Sequence, residues 1–168
     1  MSIMKAKFFN NWVPKELNIF LMHKFLFKTP HYWGHTSKEG DTDNMFYATD
    51  LDVNDNLYKF LFMYFASTIK KDLELLRAYI NIQHPGMNGS PHTDDGDITG
   101  VYMVTPTLAP GVGCLNIKTT PHDQLQVQFE QNKLCVFDAK QTHWADAPDD
   151  EPRITLTFKT REVKNGNN

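Results

Sequence analysis

The chain has 168 residues, 40% of them hydrophobic and 12% aromatic, with twelve Phe and a formal net charge of −3. That composition excludes a disordered chain and suits a single domain with a sizeable core. The acidic balance, with a pI near 6.1 and no Lys/Arg run longer than Lys70-Lys71, counts against a nucleic-acid partner. The longest apolar run, Phe60 to Ala66, falls far short of a membrane span.

Met1 to Lys7 has neither the apolar stretch nor the small-residue cleavage site of a secretory signal. Cys114 and Cys135 are too few for a disulfide framework and read as buried, reduced thiols. A cytoplasmic protein is expected.

In chain order, Lys7 to Pro14 reads as an extended segment stopped by a proline suited to a first helical turn. Lys15 to Phe27 follows with Leu17, Phe20, Leu21, Lys24 and Phe25 at helical spacing. Thr29 to about Asp55 reads as one long irregular stretch carrying Pro30, Gly34 and Gly40, of the kind that often covers a site. Its His31, Tyr32, Trp33 and His35 are expected to form an aromatic plug over the core edge. Asn54 or Asp55 can cap a second helix, Asn56 to Lys70, with Leu57, Leu61, Tyr64, Phe65 and Ile69 as its buried stripe. Phe60, Phe62 and Met63 widen that stripe, so the helix is predicted to be mostly covered.

From about Leu75 the hydrophobic period changes to two. Ala78, Ile80 and Ile82 alternate with Tyr79, Asn81 and Gln83, and Ile154, Leu156 and Phe158 alternate with Arg153, Thr155 and Thr157. Successive strand side chains point to opposite faces, so two strands with polar inner faces imply a cavity that holds a ligand. Between them, strands are predicted near Gly100–Thr105, Cys114–Thr119, Gln124–Glu130 and Leu134–Asp138, with the last at Ile154–Thr160. Helices first, then about seven short strands, give an α+β fold with a double sheet.

After the first of these strands comes Gly86-Met-Asn-Gly-Ser-Pro-His92-Thr-Asp94. His143 lies fifty-one residues beyond His92, and Arg153 ten beyond that. Two imidazoles and a carboxylate can hold one face of an octahedral ferrous ion and leave three positions free. An arginine offers a planar fork to the carboxylate of an organic acid. Each part has a plainer alternative. The acidic run around Asp94 could be a solvated loop, although it lacks the ligand pattern of a calcium loop. His143 could be a surface histidine stacked on Trp144. His23 and His122 read as structural or solvated, while His84 and Gln83 sit on the strand leading to the metal and can reach it.

The stretches Arg77-x-Tyr79-x-Asn81-x-Gln83, Gly89-x-x-His92-x-Asp94, Gly111-Val-Gly113-Cys-Leu-Asn-Ile, Val136-Phe-Asp138, His143 and Arg153-Ile-Thr-Leu-Thr-Phe-Lys159 resemble the 2-oxoglutarate- and Fe(II)-dependent dioxygenases. The likeness is to the small prolyl-hydroxylase-like group, especially its short bacteriophage-encoded versions, and covers residues 75 to 160. It implies a double-stranded β-helix, or jelly-roll, with N-terminal supporting helices. The chain would then be a single dioxygenase domain over 1-168, with helical support over about 1-74 and the jelly-roll core over about 75-162. The resemblance further implies that His92, Asp94 and His143 are the iron ligands and catalytic centre, and that Arg153 holds the distal carboxylate of 2-oxoglutarate. Thr155, with Tyr79 or Tyr102, would share that carboxylate, and Asn81 would contact the metal end of the co-substrate. Fe(II), 2-oxoglutarate and O2 are the implied cofactors, with ascorbate in a supporting role.

By the same resemblance the reaction would couple oxidative decarboxylation of 2-oxoglutarate to hydroxylation of a C–H bond. Asp94 stands where halogenating relatives have a small residue. The leading substrate is a prolyl or other peptidyl residue in the host cytoplasm if phage-encoded, followed by a nucleobase and then a free amino acid or small metabolite. A non-catalytic metal-binding jelly-roll is the alternative from another class, and a virion structural jelly-roll a further one. The oligomeric state stays open.

Overall fold

A computed structural model describes residues 4–163. The elements run β1 (Lys7–Asn10), α1 (Lys15–Phe27), β2 (Tyr32–Thr36), β3 (Met45–Asp50), α2 (Asn56–Ile69), β4 (Leu73–Gln83), β5 (Ile98–Met103), β6 (Leu115–Lys118), β7 (Gln124–Val127), β8 (Lys133–Asp138), β9 (His143–Ala145) and β10 (Arg153–Glu162). A seven-stranded sheet has the order β1-β8-β5-β10-β4-β3-β2, and a three-stranded sheet the order β7-β6-β9. A single antiparallel bridge between His92 and His143 adds a further rung beside β9. Four central strands of the large sheet thus face three strands and a rung of the small one, which is the jelly-roll arrangement.

Alternation along the strands sorts side chains into two layers. Ala78, Ile80, Ile82, Ile154, Leu156 and Phe158 point to the helices, where they pack on Leu21, Phe25, Leu61 and Phe65. On the other face Val101, Met103, Cys135 and Phe137 meet Leu115, Ile117, Val127 and Phe129 of the small-sheet side. This second core fills only one part of the space between the sheets. The rest is a polar-lined cavity of about 120 Å³, walled by Tyr79, Asn81, Gln83, Arg153, Thr155 and Thr157 among others. The alternation seen in the sequence therefore separates a core face from a cavity face.

Local chemistry sets the element ends. Asp55 caps α2 by accepting from Leu57 N at 2.8 Å, and Lys70 closes it in a left-handed conformation with φ 56°. Pro14 is the N-cap of α1 rather than its first-turn residue. No helix among the described residues is long and apolar enough to cross a membrane, and both cysteines are buried and free.

Three expectations need correction. The stretch from Thr29 to Asp55 is not irregular, because β2 and β3 form a hairpin that extends the large sheet from the edge of β4. Its strands are short and their register shifts between Trp33 and His35, at Gly34 with φ 98°, which interrupts the period-two pattern. The aromatic plug does not form. Tyr32 and Trp33 are 60% and 54% exposed, the His31 ring instead meets the Phe25 carbonyl, and His35 lines the cavity. Finally, α2 is covered on one side only. Tyr58, Leu61, Phe65 and Ile69 face the sheet, whereas Phe60, Met63 and Tyr64 are exposed, since no second layer lies beyond the helix.

Gly100 is required by contact rather than by turn geometry: a Cβ there would overlap the Phe65 ring. Gly100→Ala is expected to destabilise the protein by about 1–3 kcal/mol through overpacking, read as a lower urea midpoint. An unchanged midpoint would mean that α2 can shift away from β5 freely.

Candidate active site

His92, Asp94 and His143 converge between the two sheets. One ligand atom from each lies within 4.8 Å of the others. His92 and Asp94 lie outside the regular strands. They are held by backbone bonds to neighbouring segments: His92 N and O pair with His143 O and N at 3.1 and 2.8 Å, and Asp94 N donates to Ala139 O at 2.8 Å. His143 begins β9, and its ring packs edge-on against Phe137.

Hydrogen bonds fix which ring atoms are available. His92 Nδ1 lies 2.9 Å from Ser90 O, and His143 Nδ1 lies 2.9 Å from Gln141 O. A carbonyl only accepts, so each Nδ1 carries the proton and, in the neutral ring, each Nε2 offers a lone pair. The two Nε2 atoms stand 3.5 and 3.4 Å from the two oxygens of Asp94. Those spacings match ligands around one shared ion better than direct hydrogen bonds.

Asp94 is 3% exposed. Oδ2 accepts from Thr99 Oγ1 at 2.7 Å. Oδ1 has no hydrogen-bond partner, although Lys159 Nζ lies 2.7 Å from it. The ammonium is close but not aligned for a hydrogen bond, so it acts as a charge. Burial pushes the Asp94 carboxyl upward, but the Lys159 charge beside it works the other way, and the group is held well below the usual carboxylate range. A buried, ionised oxygen without a donor beside two imidazole lone pairs fits a bound divalent cation. Two nitrogens and one carboxylate oxygen are the ligand set of non-haem Fe(II) sites.

At the other end of the cavity lies Arg153, 2% exposed. Its Nε donates to Gly113 O at 2.9 Å, its Nη1 to Gln83 Oε1 at 2.7 Å, and the Phe129 ring stacks 5.1 Å from the guanidinium carbon. Gly113 adopts φ 60°, and a Cβ there would press on Leu108, so this glycine is what aims its carbonyl at the arginine. Neither partner is a carboxylate. Burial pulls the Arg153 pKa down to about 10, against the more distant charge of Asp146. A buried cation with only neutral partners is costly, and the outer edge of its fork is free for an anionic ligand.

Thr155, Asn81 and Tyr79 line the same cavity, and Asn81 Oδ1 is buried without a hydrogen-bond partner. Tyr102 does not join them. It pairs with Leu156 across β5 and β10, so it faces the helices, where its hydroxyl donates to Asn18 Oδ1. His84 stands edge-on to Tyr47 at 5.8 Å and does not line the cavity.

Sequence reasoning passed over Thr99, Lys159 and the wall built by the β2–β3 hairpin. Lys159 continues the alternation of Arg153, Thr155 and Thr157, so the signal was present. The hairpin contributes Thr36 and Ser37 to the cavity. Its turn is clasped to the segment that carries His92 and Asp94 by a Ser90 hydroxyl that donates to Asp41, whose carboxyl is held down at about 2 chiefly by that bond.

No protein-family model matches this chain, and no curated protein matches it in sequence. Solved structures match over most of its length. A Pseudomonas putida prolyl-4-hydroxylase aligns with TM-score 0.69 and 16% identity, covering 94% of this chain and 92% of its own. A Trichoplax adhaerens prolyl hydroxylase in complex with a hypoxia inducible factor peptide gives 0.74 and 12%, covering 94% and 83%. The epimerase SnoN from nogalamycin biosynthesis, with Fe3+, alpha ketoglutarate and nogalamycin RO, gives 0.72 and 11%, covering 94% and 78%. These likenesses establish the jelly-roll fold of 2-oxoglutarate/Fe(II) oxygenases, as the sequence resemblance implied, and the His-Asp-His triad is present in it.

Thr99→Val removes the donor to Asp94 Oδ2 while keeping the shape. Divalent-metal affinity, read by Mn(II) calorimetry, is expected to fall by roughly 10–100-fold, the usual effect of losing a group that orients a ligand. Unaltered affinity would show that Asp94 is held by its backbone alone.

Proposed function

We propose that the protein is a non-haem ferrous oxygenase that couples oxidative decarboxylation of 2-oxoglutarate to hydroxylation of a substrate C–H bond. One observation carries this reading. The two histidines of a His-Asp-His set line one cavity with a buried guanidinium that has no carboxylate partner among the described residues.

His92 Nε2, His143 Nε2 and Asp94 Oδ1 would hold the metal. Arg153 would grip the distal carboxylate of the acid with two parallel donors, and Thr155, next inward on the same face of β10, would share it. Asn81, registered opposite Thr155, would meet the acid nearer the metal, and Tyr79 would close that side. When bound, ferrous ion would use the keto acid's electrons to activate dioxygen, yielding succinate, carbon dioxide and hydroxylated substrate. The chain supplies position and dryness. Strand register sets the distance from arginine to triad, and Val101, Phe46 and Leu115 line the walls.

The leading substrate in this reading is a prolyl or other peptidyl side chain, which the peptide-bound Trichoplax neighbour supports. A free amino acid or other small metabolite is the second reading, favoured by the small cavity. We take residues 1-168 as one catalytic domain acting in the cytoplasm.

With Fe(II) and ascorbate, the protein is expected to form succinate from 2-oxoglutarate under air and not anaerobically. Arg153→Lys should raise the 2-oxoglutarate concentration needed by roughly 10- to 100-fold, since a point charge loses one charge-assisted bond of about 1.5–3 kcal/mol. An unchanged requirement would move the distal carboxylate to another residue.

A further inference from the structure

Lys159 and Arg77 stand directly opposite each other on β10 and β4, and both line the cavity. Like charges in that relation destabilise a sheet. Two positions further along the same strand pair, Arg161 meets Glu74, the ordinary arrangement of opposite charges, at 3.3 Å. The like-charged pair therefore calls for an explanation that the sheet itself does not supply.

Tyr79 sits between the two cations. The Arg77 guanidinium carbon lies 4.6 Å from its ring centre and Lys159 Nζ 5.5 Å. Asp50 pairs with Arg77 at 2.6 Å, but half of that pair is in solvent. The Lys159 side chain is only 16% exposed, and its one anionic neighbour among the described residues is Asp94.

Charge accounting then separates the ends of the cavity. Arg153 and Lys159 are six residues apart on one strand, roughly 20 Å between Cα atoms, so Arg153 serves one end and Lys159 the other. On the function proposed above, the distal carboxylate of 2-oxoglutarate balances Arg153. Asp94 and the keto-acid carboxylate balance a divalent metal. Lys159 is left as a largely buried cation without a counter-charge of its own, which is an expensive state for a protein interior.

We infer that the substrate bears a free carboxylate, and that Lys159 with Arg77 reads it at the metal end of the cavity. This rests on the oxygenase reading and narrows it to a small carboxylic acid. The chemistry is shared by a free amino acid and by the C-terminal residue of a peptide. An internal prolyl residue has no such group.

The test uses the full-length protein, loaded anaerobically with Fe(II), and calorimetry in two stages. 2-Oxoglutarate is titrated first. If it does not bind, the oxygenase reading fails whatever follows. L-Proline and L-leucine, their carboxamides, and Gly-Ala-Pro with free and amidated C terminus are then titrated into the loaded complex. At least one acid is expected to bind tenfold or more tightly than its amide. Lys159→Met should abolish that preference, the acid-to-amide ratio being read on variant protein that has taken up Fe(II) and 2-oxoglutarate. The free amino acids and the tripeptide distinguish the two sources of the carboxylate. Binding of 2-oxoglutarate with no acid preferred over its amide would overturn the inference, as would an undiminished preference in Lys159→Met. Should that variant lose metal, Arg77→Gln on the same panel decides, a retained full preference counting against the inference.

Discussion

The pairing of β4 with β10 is the constraint on which the rest of the structure depends. Its register places Arg153 against Gln83, Thr155 against Asn81, Thr157 against Tyr79 and Lys159 against Arg77. The alternate residues, Ile80, Ile82, Ile154, Leu156 and Phe158, lock the same two strands onto the helices. A slip of one residue would send the polar ladder into the helix-facing core and the apolar ladder into the cavity. Hydrophobic burial thus enforces the geometry of the polar site. Arg153 needs no other device to keep its distance from the triad.

That arrangement has a cost, visible in buried charge. Asp94 keeps an ionised oxygen without a hydrogen-bond donor, Arg153 is buried among neutral acceptors, and Lys159 faces Arg77 across the sheet. Arg153 is unfavourable in the protein alone and becomes favourable with an anion beside it, whereas Asp94 and Lys159 offset each other at 2.7 Å until a cation at the triad takes up the charge of Asp94 and leaves the lysine unbalanced. The three sites read together as a cavity whose charges await ligands, and this is the physical ground for the function proposed.

Much of this was legible in the sequence because period-two alternation is a strong local signal. The alternation at 78–83 and 153–158 placed both faces of β4 and β10 correctly, and the helix limits differ from those expected by a single residue. Proximity through long-range pairing left less trace. His92 meets His143 through one bridge between segments fifty-one residues apart, which motif resemblance suggested and periodicity did not. The β2–β3 hairpin was hidden by Gly34 and its register shift. Tyr102 lies on the helix-facing side of β5, which the period-two pattern of its strand already implies. Its neighbours Val101 and Met103 are the inward ones. The exposed Phe60 and Met63 show the opposite limit, since apolarity alone does not say that a covering layer exists.

The central claim is that one cavity holds ferrous ion and 2-oxoglutarate together. The most direct test is to add 2-oxoglutarate to the Fe(II)-loaded protein under nitrogen and record the visible spectrum. Chelation of the metal by the keto acid is expected to produce a metal-to-ligand absorption band in the unaltered protein and none in His92→Ala. A protein that takes up Fe(II) but shows no band at saturating 2-oxoglutarate would contradict the account.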